Sequence, residues 1–153
     1  MHLGLSLVEI AVAITKIEPI KHRLQVTKTI NNSYIIDDSY NSNPEGIKKA
    51  VEVLKLVKGK KYVVTPGMIE LGLFENQENY KFGILLASVC DKVLLVKRGG
   101  TLSIREGLLS QGFDKNNIIM IQGLEESKKF LQENLQEGDG VLFENDLPDV
   151  YTE

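Results

Sequence analysis

Apolar residues recur at helical spacing in the first stretch of the chain, Gly4 to Ile17, where Leu7, Ile10, Ala11, Ile14 and Ile17 share one face. Ser6 stands where an N-cap belongs, and Glu9 follows three residues on, the pairing of a capping box. Pro19 stops the pattern. The spacing alone assigns this helix either to its own domain or to the end of a preceding one. From His22 the period shortens to that of strands. Leu24 to Thr27 alternates, Asn31-Asn32 follows, and Ser33 to Ile36 comes next, which predicts an antiparallel hairpin because Asn tolerates the positive φ of tight turns.

Beyond this point strands and helices alternate. Tyr62–Thr65, Val93–Val96, Ile118–Ile121 and Val141–Phe143 are short, nearly continuous apolar runs. Between them the spacing predicts helices over Pro44–Val57, Asn76–Cys90, Leu102–Gln111 and Leu124–Leu135. The first of these is the best specified. Ile47, Ala50, Val51, Leu54 and Val57 form its stripe, Asn43 is a suitable N-cap, Pro44 fits the first helical position, and Glu45 complements the dipole. Gly112 supplies a left-handed stop after Leu108-Leu109. Apolar strands separated by helices describe a parallel sheet covered on both faces. The expected fold is therefore α/β: a doubly wound, mostly parallel sheet of about six strands with one antiparallel strand, Rossmann-like in architecture.

The 153 residues suit one such unit, with 42% hydrophobic and 25% charged positions and a net charge of −3. The acidic balance and the lack of long like-charge runs argue against a nucleic-acid partner. No apolar run approaches the ~20 residues of a membrane span. A single cysteine, Cys90, fits a reducing, cytoplasmic setting and reads as core on its helical face rather than as a nucleophile.

Recognisable catalytic signatures are missing. Gly59-Lys60-Lys61 lacks both the leading glycine and the hydroxyl of a P-loop, no Gly-x-Gly-x-x-Gly follows a strand, and two histidines with one cysteine make no zinc set. What stands out is Ile36-Asp37-Asp38-Ser39-Tyr40-Asn41-Ser42-Asn43-Pro44, running from a strand end to a helix start. In open α/β sheets ligands bind at that edge. Paired carboxylates there can accept from hydroxyls such as a ribose, and the same residues can equally build a turn and cap a helix. Thr65 to Gly72, with Glu70, and Phe143 to Asp149, with Asn145 and Asp146, are two more polar loops placed on that edge, and three together suggest a cleft. Arg23 can reach a phosphate through its planar fork or sit solvated on the surface, and Lys97-Arg98-Gly99-Gly100 reads as a solvated turn.

These residues resemble the carboxyl-terminal domain of the Mur ligases, and most of all the branch that adds D-alanyl-D-alanine to a UDP-N-acetylmuramoyl-tripeptide. The carriers are His22-Arg23-Leu24, the string Asp37-Asp38-Ser39-Tyr40-Asn41-Ser42-Asn43-Pro44, and Met68-Ile69-Glu70-Leu71-Gly72. The resemblance covers residues 21–153, and residues 1–20 resemble a remnant helix from the end of a central ATP-binding domain. It implies an enzyme of peptidoglycan precursor synthesis that uses ATP and magnesium to activate a peptide carboxylate as an acyl phosphate, which an incoming amine then attacks. Its partners would be the amino-terminal and central ligase domains, which hold the P-loop and the Mg2+. Its substrates would be the UDP-MurNAc-peptide and a dipeptide or amino acid, with no nucleic acid and no membrane. By the motif match, Arg23 lies near the phosphates and Asp38 near the ribose, with Tyr40, Asn41 and Asn43 beside the nucleotide. Ser39, Glu70, Asn145 and Asp146 would then face the incoming substrate, and the chain alone would be inactive. Glu144 to Asp149 stands where the branch commonly carries Lys-Gly-Ser-Arg, so basic residues give way to acidic ones and the incoming amine is left open. The alternatives are a divergent ligase with another amino-acid substrate, or a stand-alone small-ligand-binding or regulatory domain of the same fold.

Overall fold

The computed structural model describes residues 4–18, 20–40 and 42–145. Helix α1 (Leu7–Ile14) comes first and carries the expected capping box between Ser6 and Glu9. Strands β1 (Gln25–Lys28) and β2 (Tyr34–Asp38) form the antiparallel hairpin, with Asn32 left-handed in its turn at φ 61°. The chain then alternates through α2 (Pro44–Leu54), β3 (Lys61–Thr65), α3 (Glu75–Ala87), β4 (Lys92–Val96), α4 (Thr101–Ser110), β5 (Ile118–Ile121), α5 (Leu124–Asn134) and β6 (Gly140–Glu144). Short 3-10 turns at Gly72–Phe74 and Lys115–Asn117 lie outside what the apolar spacing signals.

The sheet order is β1-β2-β6-β3-β4-β5, parallel except for the first pair. Strand alternation divides the core in two. Ile36, Leu142, Val63, Val93 and Leu95 face Ile47, Ala50, Val51 and Leu54 of α2, Phe82 and Leu86 of α3, and Ile104 and Leu108 of α4. On the other face Tyr62, Val64, Leu94, Val96 and Val141 meet Leu131 of α5. Helices α3 and α4 approach so closely that a Cβ on Gly83 would lie 2.1 Å from the Ile104 carbonyl oxygen. Cys90 is buried in the first core cluster, and burial pushes its thiol pKa up, as expected of a packed rather than reactive group.

Most strand boundaries shift by a residue or two from expectation, and at Leu24 and Glu144 the reason is local. Leu24 does not join β1, because its backbone is left-handed at φ 51° and its N–H donates to the Asp38 Oδ1 at 2.9 Å. Glu144, expected on the final polar loop, is instead the last residue of β6, in register with Asp38. The described residues contain no helix long and apolar enough to cross a membrane.

Candidate functional site

Because β2, β6 and β3 are parallel neighbours, their carboxyl ends and following loops come to one edge of the sheet. Asp37 and Asp38 close β2 and, by alternation, point to opposite faces. On one side, His22 Nδ1 lies 2.9 Å from Asp37 Oδ2, and Ser39 Oγ donates to Asp37 Oδ1 at 2.6 Å. On the other side Asp38 anchors the Leu24 N–H. Arg23, between two left-handed residues (His22 φ 61°, Leu24 φ 51°), is thereby set on a strained turn. Its guanidinium carbon sits 4.2 Å from the centroid of the exposed Tyr40 ring. Partial burial raises the Asp38 pKa, and the neighbouring Asp37 adds to the rise. The Leu24 N–H and the Arg23 charge oppose it.

This edge presents a cation, a flat aromatic ring and a half-buried carboxylate side by side. That is a combination suited to a phosphate, a base and a sugar hydroxyl. Among the described residues no cluster of three or more His, Cys, Asp or Glu could hold a metal ion.

A sequence model of the Mur ligase glutamate ligase domain matches residues 22–144. The chain belongs to the Mur ligase family. The UDP-N-acetylmuramoyl-tripeptide--D-alanyl-D-alanine ligase of Bacillus subtilis is 31% identical over 125 residues, covering 79% of this chain and 27% of that protein. The Escherichia coli ligase of the same name is 29% identical over 121 residues, covering 78% and 27%. Among solved structures, MurF ligase from Thermotoga maritima in complex with ADP superposes with a TM-score of 0.76 at 26% identity, covering 95% of this chain and 31% of that one. This Mur ligase chain thus spans less than a third of the length of these relatives.

The Mur ligase domain brings some of the sequence-derived residues together and gives others different work. Arg23 packs on Tyr40 and its charge reaches Asp38, whereas Ser39 is held by Asp37 and His22 on the other side. Asn43 spends its side-chain oxygen on the Gly46 N–H at 2.9 Å, as the N-cap of α2. Glu70 is exposed on the loop after β3, left-handed at φ 65°, and no hydrogen bond or ion pair joins it to the Arg23 cluster among the described residues. Asn145 does not face open solvent. It is 2% exposed, and its side-chain amide donates to the Gly67 carbonyl at 2.7 Å. Asn41 and Asp146 lie outside the described residues.

Sequence reasoning passed over two residues. Asn79 is fully buried in α3 and clamps Met68 from both sides, accepting from its N–H at 2.8 Å and donating to its carbonyl at 2.9 Å. The signal was present: an amide sits on the same stripe as Phe82, Gly83 and Leu86. Gly67, just before Met68, is left-handed at φ 83°, and a Cβ there would come within 2.9 Å of Asn79 Oδ1. Ser42 is the second. It is buried and donates to Glu144 Oε1 at 2.7 Å. Burial lifts the Glu144 pKa to about 8, against the Ser42 hydrogen bond and with help from the Asp38 charge. Glu144, the first acidic residue where the branch commonly carries basic ones, is thus biased by its burial toward the neutral acid.

Proposed function

We propose that this chain is the carboxyl-terminal domain of an ATP-dependent acid–amino-acid ligase of peptidoglycan precursor synthesis. The whole enzyme would join D-alanyl-D-alanine, or a related amine, to a UDP-MurNAc-peptide. The observation that carries the reading is the convergence of Arg23, Tyr40 and Asp38 at the carboxyl edge of β2. In this reading Arg23 binds a phosphate of the nucleotide, Asp38 accepts from a ribose hydroxyl, and Tyr40 flanks them. Ser39 and Glu70 lie toward the incoming amine. ATP and Mg2+ are bound mainly by a central domain, since this chain offers neither a P-loop nor a metal cluster among its described residues. Magnesium would supply charge neutralisation at the transferring phosphoryl group.

Residues 1–20 are assigned to the end of that central domain and residues 21–153 to the closing domain. Supporting this, α1 has a complete cap yet no buried residue, so its apolar face lacks a partner among the described residues. The relatives' names support the substrate assignment, and their reaction suits a cytoplasmic enzyme.

The test is phosphate release from ATP with magnesium, UDP-MurNAc-tripeptide and D-alanyl-D-alanine. The isolated chain should release none, and the chain joined to its two upstream domains should release it with turnover. Arg23→Ala in the joined enzyme should lower kcat/KM by at least about tenfold through the loss of a charged contact. Asp38→Asn keeps an acceptor for the Leu24 N–H and should raise KM for ATP. Turnover by the isolated chain, or wild-type kinetics in both variants, overturns the reading.

A further inference from the structure

The last two described residues of the chain tie the three loops of the site together. Glu144, 1% exposed at the end of β6, holds Ser42 through Oε1 at 2.7 Å across 102 positions of sequence. Asn145, left-handed at φ 67°, donates its backbone N–H to the Asp38 carbonyl at 3.2 Å and its amide to the Gly67 carbonyl at 2.7 Å. The path of the loop after β2 is thus set from β6, immediately before the N-cap of α2.

The environment of Glu144 is unusual for a carboxyl. Oε2 is buried with no hydrogen-bond partner, and no cation pairs with the group among the described residues. Its register neighbour on β2 is Asp38, a like charge, while Ser42 faces it from the loop leading into α2. On β3, the Thr65 hydroxyl accepts from the Gly67 N–H at 3.0 Å, and Glu144 Oε2 receives no hydrogen bond from it. An ionised carboxylate in such a place lacks both solvent and a counter-charge, so the neutral acid is the form the packing accepts.

We propose that Glu144 is a positioning residue of the site, a neutral acid whose grip on Ser42 holds the end of β2 at Asp38 to the Asn43 cap of α2, and that this latch loosens when the carboxyl ionises. Ionisation transfers the proton to solvent and leaves an anion beside Asp38. Water must then enter to solvate it, and the strand end and the loop part. The consequence for nucleotide alignment rests on the ligase reading given above, whereas the latch itself does not.

The experiment is a carbon-13 NMR titration of the Glu144 carboxyl in the 153-residue chain, with the Asp38, Ser42 and Gly46 amides followed in parallel. The carboxyl should titrate with a midpoint near 8, and the loop amides should shift with the same midpoint. Glu144→Gln, nearly isosteric and always neutral, should keep the loop signals of the low-pH protein and abolish the alkaline step. Ser42→Ala should leave the carboxyl titrating high while uncoupling the loop amides from it. A midpoint in the ordinary carboxylate range, or an alkaline step that survives in Glu144→Gln, overturns the proposal. Absence of phosphate release by the joined enzyme would remove the ligase reading and leave this titration as it stands.

Discussion

Helices α1 and α2 carry the same apolar spacing and opposite fates. Leu7, Ile10, Ala11 and Ile14 repeat the intervals of Ile47, Ala50, Val51 and Leu54. Both helices have a side-chain N-cap, Ser6 in one and Asn43 in the other. In α2 all four stripe residues are at most 2% exposed, whereas in α1 none is buried, with Leu7 75% and Ile14 59% exposed. An amphipathic stripe says that a helix has a partner but not where the partner is. Full burial of an aliphatic side chain contributes roughly 1.5–3 kcal/mol, so α2 is held by the sheet and α1 gains little from the other described residues.

The comparison can be broken most sharply by truncating one leucine in each helix. Leu54→Ala should destabilise the chain by about 2–5 kcal/mol in a denaturant titration, and Leu7→Ala by less than about 0.5. A large loss at Leu7 would mean that α1 does pack on this domain. The next effect concerns the anchor that α2 has and α1 lacks, the Ser42–Glu144 bond just ahead of the Asn43 cap. Unfolded, Glu144 ionises near its ordinary 4.5, and folded it keeps its proton to about 8, so the folded state binds the extra proton between those values. Stability should therefore fall as pH rises through that window, by up to about 1.4 kcal/mol per pH unit, and level off above it. Asp38, also raised, adds in the same direction. Chemical denaturation at a series of pH values checks this, and Glu144→Gln should flatten most of the slope. The smallest difference lies in the caps. Asn43→Ala should cost about 1 kcal/mol of global stability, while Ser6→Ala should leave the midpoint unchanged, because fraying α1 releases nothing from the core.

Much of the fold was legible because each element follows its own local rule. The hairpin Asn, the Pro44 start of α2, the Gly112 stop and the apolar strands all announce backbone geometry through short-range chemistry. Helix ends were overrun by one to three residues, as at Val57 and Cys90, whose side chains continue the apolar pattern after the backbone has turned. The site was legible in part. Arg23, Asp38 and Tyr40 stand in or beside a string with a recognisable order and lie together at the strand end, while Ser39 turns to Asp37. Glu144 was expected on the polar loop after β6 because polar residues at a strand end look alike whether they close the strand or follow it. The register of β6 against β2 alone separates the two cases. Asn79 shows the converse: its place on the apolar stripe of α3 marks it as buried, but its partner, the Met68 backbone, is not named by any residue type.

By itself, then, the sequence determined the alternation of elements, the α/β class and the family string at the end of β2, since all three rest on spacing within a few residues. The tertiary structure decided the rest. Pairing β6 between β2 and β3 put residues a hundred positions apart into contact. That contact buries the Glu144 carboxyl and raises its pKa, because what a carboxyl does is governed by its solvent and its neighbouring charges. The same packing separated α2 from α1, two helices that their own residues could not tell apart.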